Sequence, residues 1–268
     1  MSFTSYDSII NSLASGNGQD FVYQKSSITT TTASWYTLWT ASGNPIAGNN
    51  PSGLTGSSCT SSTVGAIGYT NTTGSNTMNL LSFGVGGATQ NIITLYDRLW
   101  HVGGINLNSA TTQTIIGSTA PSRYTGGVGN SFFVEITTAA GSTARNMNIS
   151  YTNQSGTPGQ TATVSIPASA VANTIFYGTL AAGDTGVQSI QSVTMSSTMG
   201  SGVANLVLYN QSMFQFVPYQ SGTYTERDLV LQLANLPIIQ NNACLNFLLF
   251  ASTTTSGLLF GKIKMAQG

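Results

Sequence analysis

From about Thr63 onward, short apolar runs alternate with turn signals along the whole chain. The clearest runs are Met78–Phe83, Ile92–Trp100, Ser131–Thr137, Met147–Tyr151, Ala162–Ile166 and Thr174–Leu180. They continue as Val187–Met195, Val203–Tyr209, Leu229–Leu233, Cys244–Ala251 and Leu258–Met265. Two-residue alternation shows in Leu229-Val230-Leu231-Gln232-Leu233 and Phe214-Gln215-Phe216, the pattern of strands that bury one face. Gly, Asn and Pro mark the breaks, as at Gly126-Gly127, Asn153 to Gly159, Gly183-Asp184 and Gly200 to Gly202. Regularly spaced strands with no helical pattern between them predict an all-β protein, an antiparallel sandwich or barrel. Residues 59–268 fit one jelly-roll-like β-sandwich domain or two smaller ones fused, and one is expected because no Pro- or charge-rich linker divides them.

One segment follows a different period. Tyr6, Ile9, Ile10 and Leu13 fall at i, i+3, i+4 and i+7, which is one stripe of a helix. Ser5 suits its cap, Asp7 its first turn and Gly16 its end. A helix this short is marginal alone, so it is expected to dock on its own domain or on a neighbouring subunit. The rest of residues 1–58 is expected to be an N-terminal extended arm. It holds an aromatic strand-like piece with Trp35, Tyr36 and Trp39, followed by a Gly/Asn/Pro/Ser-rich stretch from Ala41 to Ser58. Tyr6, Ile9, Ile10, Leu13, Trp35, Tyr36 and Trp39 are thus the expected interface residues.

Composition changes the picture from fold to function. The chain has seven Lys plus Arg, seven Asp plus Glu and one His in 268 residues, or 5% charged, against roughly 25% for an ordinary domain. Its hydrophobic share of 40% still permits a large core. Uncharged polar residues stand where charge would otherwise keep monomers apart. Such a surface suits assembly with other chains, the alternative being a secreted Ser/Thr-rich β-protein. Zero net charge and scattered Lys and Arg argue against nucleic-acid binding. Only Lys262 and Lys264 are close together, sharing one strand face, where they suit a local patch or a solvated edge. No stretch reaches the roughly 18 apolar residues of a membrane helix. The N-terminus lacks a basic start and long apolar run, so synthesis in a cytoplasm is expected. Cys59 and Cys244 are expected to be free thiols.

Candidate chemistry is sparse. His101 is the one histidine, in Leu95-Tyr96-Asp97-Arg98-Leu99-Trp100-His101, with no G-x-S-x-G elbow anywhere. Asp97 and Arg98 are expected to pair with each other or cap a turn. Glu226 and Asp228 are the nearest carboxylate pair, and Arg227 between them makes the run read as a polar strand entry. No metal spacing, calcium loop or phosphate loop occurs. No catalytic, cofactor-binding or metal residue is therefore assigned, and no enzyme is expected. Trp35, Tyr36, Trp39 and Trp100 offer a glycan-stacking platform as a minor alternative.

Two stretches and a shorter one carry a resemblance. Asn148-Ile149-Ser150-Tyr151-Thr152-Asn153-Gln154-Ser155-Gly156-Thr157-Pro158-Gly159-Gln160-Thr161-Ala162 resembles a YTNQ-x-G-x-x-G-x-TA pattern of tailed-bacteriophage virion proteins. Ala181-Ala182-Gly183-Asp184-Thr185-Gly186-Val187-Gln188-Ser189-Ile190-Gln191-Ser192-Val193 is similar to their AGDTGV-x-S-[VI]-QSV run, and Leu95–Trp100 to a further piece. Gln160 and Gln188 stand where Arg is expected. The resemblance implies a virion structural protein with no catalytic residues. From it and the composition we expect a capsid decoration or cement subunit at the capsid surface, made in the host bacterial cytoplasm. Its expected partners are the major capsid protein or other virion subunits and copies of itself, a trimer favoured. The alternatives are a major capsid, tail or head-fibre component, or a lectin-like receptor binder.

Overall fold

A computed structural model describes residues 3–72, 77–231 and 236–268. The chain opens with α1 (Tyr6–Ala14) and continues as β1 (Gly18–Lys25), β2 (Ser34–Thr37), β3 (Gly43–Asn44), β4 (Ser57–Ser58), β5 (Met78–Gly87), β6 (Asn91–Asn106), β7 (Gln113–Thr114) and β8 (Asn130–Thr138). Then follow β9 (Arg145–Asn153), β10 (Gln160–Ile166), β11 (Ile175–Tyr177), β12 (Val187–Met195), β13 (Val203–Tyr219), β14 (Tyr224–Asp228), β15 (Ile238–Ile239), β16 (Leu245–Ala251) and β17 (Leu259–Gln267). The protein is all-β, and α1 is the helix read from the sequence. The expected strand Leu229–Leu233 does not form over 229–231, and 232–233 lie outside the described residues.

These strands build three antiparallel sheets. The central one has the order β11-β8-β13-β6-β16-β2, with β4 beside β6. Its outer strands come back towards each other through a bridge between Tyr36 and Thr174 and a Thr37 N–H bond to Asn173 O, so the sheet curls round. A second sheet, β14-β5-β17-β1-β3 with β15 beside β5, packs against one end of it. A third, β10-β9-β12-β7, packs against the other.

Two large cores result beside two smaller clusters, and two long strands join the large ones. Ile93 and Leu95 of β6 and Met213, Val217 and Tyr219 of β13 belong to the core under the second sheet. Leu99, Trp100, Val102 and Ile105 of β6 and Leu206 and Leu208 of β13 belong to the core under the third. The changeover needs register shifts, which fall between Leu208 and Tyr209 and between Asn210 and Gln215 of β13. A bulge bends a strand and re-aims its side chains, and here it redirects one strand pair from one core to the other.

The stretch expected as an extended arm is built into these sheets. β1 pairs with β17 over its whole length, from Gly18 opposite Ala266 to Lys25 opposite Leu259. β2 pairs with β16. Tyr23 is fully buried, and Lys25 is buried with its Nζ donating to Ala41 O at 3.0 Å and Pro45 O at 2.8 Å. The 45–58 loop also lies against β6, close enough that a Cβ on Gly103 would strike Pro51 O and one on Gly56 would strike the Trp100 ring. The physical reason is the aromatic content of the stretch, which gains more by burial than an isolated polar arm gains by hydration.

Candidate functional site

Charge is scarce here, yet two buried ion pairs meet at the centre of the molecule. Asp97 and Arg98 are adjacent on β6, and neighbours on a strand point to opposite faces. They therefore pair with different partners and not with each other. Asp97 accepts from Arg123 Nη2 at 2.8 Å and Nε at 3.0 Å, and from the Cys244 N–H at 2.9 Å. Arg98 forks onto Glu135 at 3.1 and 3.3 Å, donates Nε to His101 Nδ1 at 3.2 Å, and lies 4.4 Å from the Trp39 ring centre. Glu135 also accepts from Asn205 Nδ2 at 2.9 Å. Burial alone would raise the Glu135 carboxyl, but Arg98 and its hydrogen bonds hold it below the usual carboxylate range. Asp97 stays raised by burial despite Arg123.

Cys59 and Cys244 sit side by side on one edge of β6. Cys59 N–H bonds to Leu99 O and Arg98 N–H to Cys244 O, each at 2.9 Å. Both thiols are free and fully buried, and the hydrogen bond that Cys244 donates to Cys59, together with burial, pushes the Cys244 thiol well up. His101 is buried, with Nδ1 accepting from Arg98 and its ring edge-on to Trp39 at 6.0 Å. By residue type Cys59 and His101 are a nucleophile and a base. By placement Cys59 is fully buried and His101 nearly so, both packed beside the Arg98–Glu135 pair. Among the described residues no group of His, Cys, Asp and Glu is arranged to hold a metal ion. No helix there is long and apolar enough to cross a membrane.

The seven expected interface residues scatter. In α1, Ile9 is 3% exposed and joins the first core, while Tyr6, Ile10 and Leu13 stand out at 48%, 61% and 38%. The helix carries a capping box between Ser5 and Ser8, and it docks on its own chain through Ser12 Oγ, which donates to Gln267 O at 2.5 Å. Tyr36 and Trp39 are buried, whereas Trp35 is half-buried beside Tyr177. With Trp100 buried as well, the four-aromatic glycan platform does not form.

The stretches Asn148–Ala162 and Ala181–Val193 come together as one unit. Tyr151 Oη donates to Asp184 Oδ2 at 2.5 Å, Asn153 Nδ2 to Asp184 Oδ1 at 2.7 Å, and the Ala181 N–H to Tyr151 Oη at 2.9 Å. Gln154 Oε1 accepts from the Thr185 and Gly186 N–H groups, and Gln188 Nε2 donates back to Gln154 O at 3.1 Å. Gln188, which stands in place of the expected Arg, thus closes this unit. Burial and the bond to Asp184 raise the Tyr151 phenol to about 12. The residues of both stretches lie in β9, β10 and β12 of the third sheet and the loops that join them.

The outward face of the second sheet carries what sequence reading missed. Glu226 and Asp228 on β14 are exposed, and Lys262 and Lys264 on β17 are partly so. β17 lies between β5 and β1, so the lysines guard no edge. Asp20 on β1 bonds to Lys262 at 2.7 Å. Five of the fourteen charged residues therefore share one face. The only sequence signal was the i, i+2 spacing in each pair.

No protein-family model and no curated protein matches the chain. Among solved structures it aligns with the infectious bursal disease virus VP2 subviral particle at 10% identity, covering 93% of this chain and 80% of that one, with a TM-score of 0.19. The same virus's Gt strain structure aligns at 9% identity over 93% and 80%, with a TM-score of 0.17. Scores at this level carry no argument about function.

Proposed function

We propose that the chain is a non-catalytic structural subunit of a virus particle, of the capsid decoration or cement type found on tailed-bacteriophage heads. The observation that supports this most is the Tyr151–Asn153–Asp184 unit. The two stretches that resemble phage virion proteins lock onto each other, so the shared residues are those that hold the fold. The chemistry of the rest is consistent with assembly. Four of the charged side chains are used up in internal pairs, and the cysteines and histidine are walled in. What remains outside is largely hydroxyl and amide, which neighbouring subunits cover at lower cost than charge when they hydrogen-bond to it. Many weak contacts repeated on a symmetric shell then add through avidity.

The test is to mix purified protein with emptied phage heads and measure binding and resistance to heat. Saturable binding with shell collapse moved to higher temperature supports the cement role, and lack of binding defeats it. Self-assembly of the isolated chain into shells or tubes would instead assign it to the major capsid or tail.

A further inference from the structure

The register of the second sheet holds a symmetry that no single strand reveals. β14 and β17 both flank β5 and both run antiparallel to it, so they are parallel to each other. Their outward residues stand at matching levels. Tyr224 and Phe260 both lie opposite Gly86, Glu226 and Lys262 opposite Gly84, and Asp228 and Lys264 opposite Ser82. At these levels the strand between them presents only Ser82, Gly84 and Gly86 to this face. The Tyr224 ring lies over Gly84 and the Phe260 ring over Gly86, each so close that a Cβ would collide with it.

Consider a second copy turned by 180° about an axis running along β5 and laid face to face. The rotation exchanges β14 with β17 and leaves every level unchanged. Glu226 of one copy then stands over Lys262 of the other, Asp228 over Lys264, and Tyr224 over Phe260. The same three pairs form again on the far side of the axis. Flanking strands lie about 10 Å apart across β5, and packed sheets are also about 10 Å apart, so the side chains can meet. Turning the copy about an axis across the strands instead lays β14 on β14, acid on acid, which is unfavourable. One orientation is therefore selected.

We propose that this face is a self-recognition surface at which two copies of the chain pair about a two-fold axis along β5. Its contact is isologous, each residue pair occurring twice. Tyr224 and Phe260, each 47% exposed, supply aromatic area at the centre. Asp20, bonded to Lys262 and opposite Lys264 on β1, adds one acid to each copy's basic row. Arg227 points away from the face, over the Phe216 ring at 5.5 Å. At the Ser82 end, Ile10 and Leu13 of α1 border a notch of about 510 Å³ lined also by Glu226, Asp228 and Lys264. The rotation brings the helices of both copies to that same end.

Sedimentation equilibrium on the full chain tests this. Wild type is expected to be dimeric at low ionic strength, with dimerisation at least about tenfold weaker in 0.5 M salt, where charges are screened within about 5 Å. The double variants E226K/D228K and K262E/K264E each place like charge on like charge and are expected to be monomeric alone. An equimolar mixture of the two is expected to pair again, because each supplies the row the other lacks. A merely structural role for these exposed residues would not produce that rescue. Should one double variant fail to fold, Phe260→Lys keeps the test open, since it puts Lys over Tyr224 and is expected to abolish pairing. A wild type that stays monomeric at low salt, reversed variants that dimerise like wild type, or a mixture that does not pair would each overturn the proposal. Pairing is read on free protein and binding to heads on particles, so failure of either proposal is seen separately.

Discussion

Arg98 and Glu135 show what adjacency in sequence conceals. Replacing one member of a buried pair leaves the other charge without a partner, which costs about 3–5 kcal/mol, whereas replacing both by apolar groups is often neutral. Glu135→Gln is therefore expected to lower the denaturation midpoint sharply and Arg98→Met/Glu135→Leu much less, as urea titration followed by tryptophan fluorescence would show. A second expectation concerns Lys25, which burial lowers from 10.5 to about 8. Between those values the unfolded chain holds a proton that the folded chain has released, so stability rises with pH across that window. Stability measured from pH 7.5 to 10.5 should carry an upward contribution that is absent in Lys25→Met; parallel curves would remove it. Neither site was legible beforehand. Asp97 and Arg98 were expected to pair with each other or cap a turn, whereas strand geometry sends them to opposite faces, and Lys25 carried no signal in a polar run.

At the level of elements, strands and the helix were readable because burial imposes a period. α1 follows a 3.6-residue stripe with a serine cap, and its bounds agree with that pattern. β6 and β13 were foreshortened, because Gly103-Gly104 and Asn210-Gln211-Ser212 look like turns while the chain runs on through bulges. The 18–58 stretch was misplaced for a related reason. Its partners, β17 and β16, lie more than 200 residues away, and local pattern says nothing of such distant pairing. The Tyr151–Asp184 unit is where an element-level variant is most informative. Asp184→Ala strips the acceptor from Tyr151 Oη and Asn153 Nδ2, and leaving such groups unsatisfied costs about 1–3 kcal/mol each. A lowered melting temperature with an unchanged far-ultraviolet circular dichroism spectrum is the expected result.

For the molecule as a whole, the two cores behave as one unit if β6 and β13 are held in common. Calorimetry is expected to show one transition whose van't Hoff and calorimetric enthalpies agree; two resolved peaks would mean independent halves. The thiols report the same event, since Cys59 and Cys244 are buried where the halves meet. Both should resist a thiol reagent in native buffer and react together only as the chain unfolds. Reactivity in the native state would place the opening free energy of this region near zero.

The continuous β6–β13 pair has a mechanical consequence. Tension applied between the two ends of the molecule runs along this pair and loads its hydrogen bonds side by side instead of one after another. A link of that kind yields abruptly and at high force, so two tethers fixed at opposite cores should record a single large rupture in an optical trap. Tethers placed on β14 and β5 should instead peel that short strand away at low force.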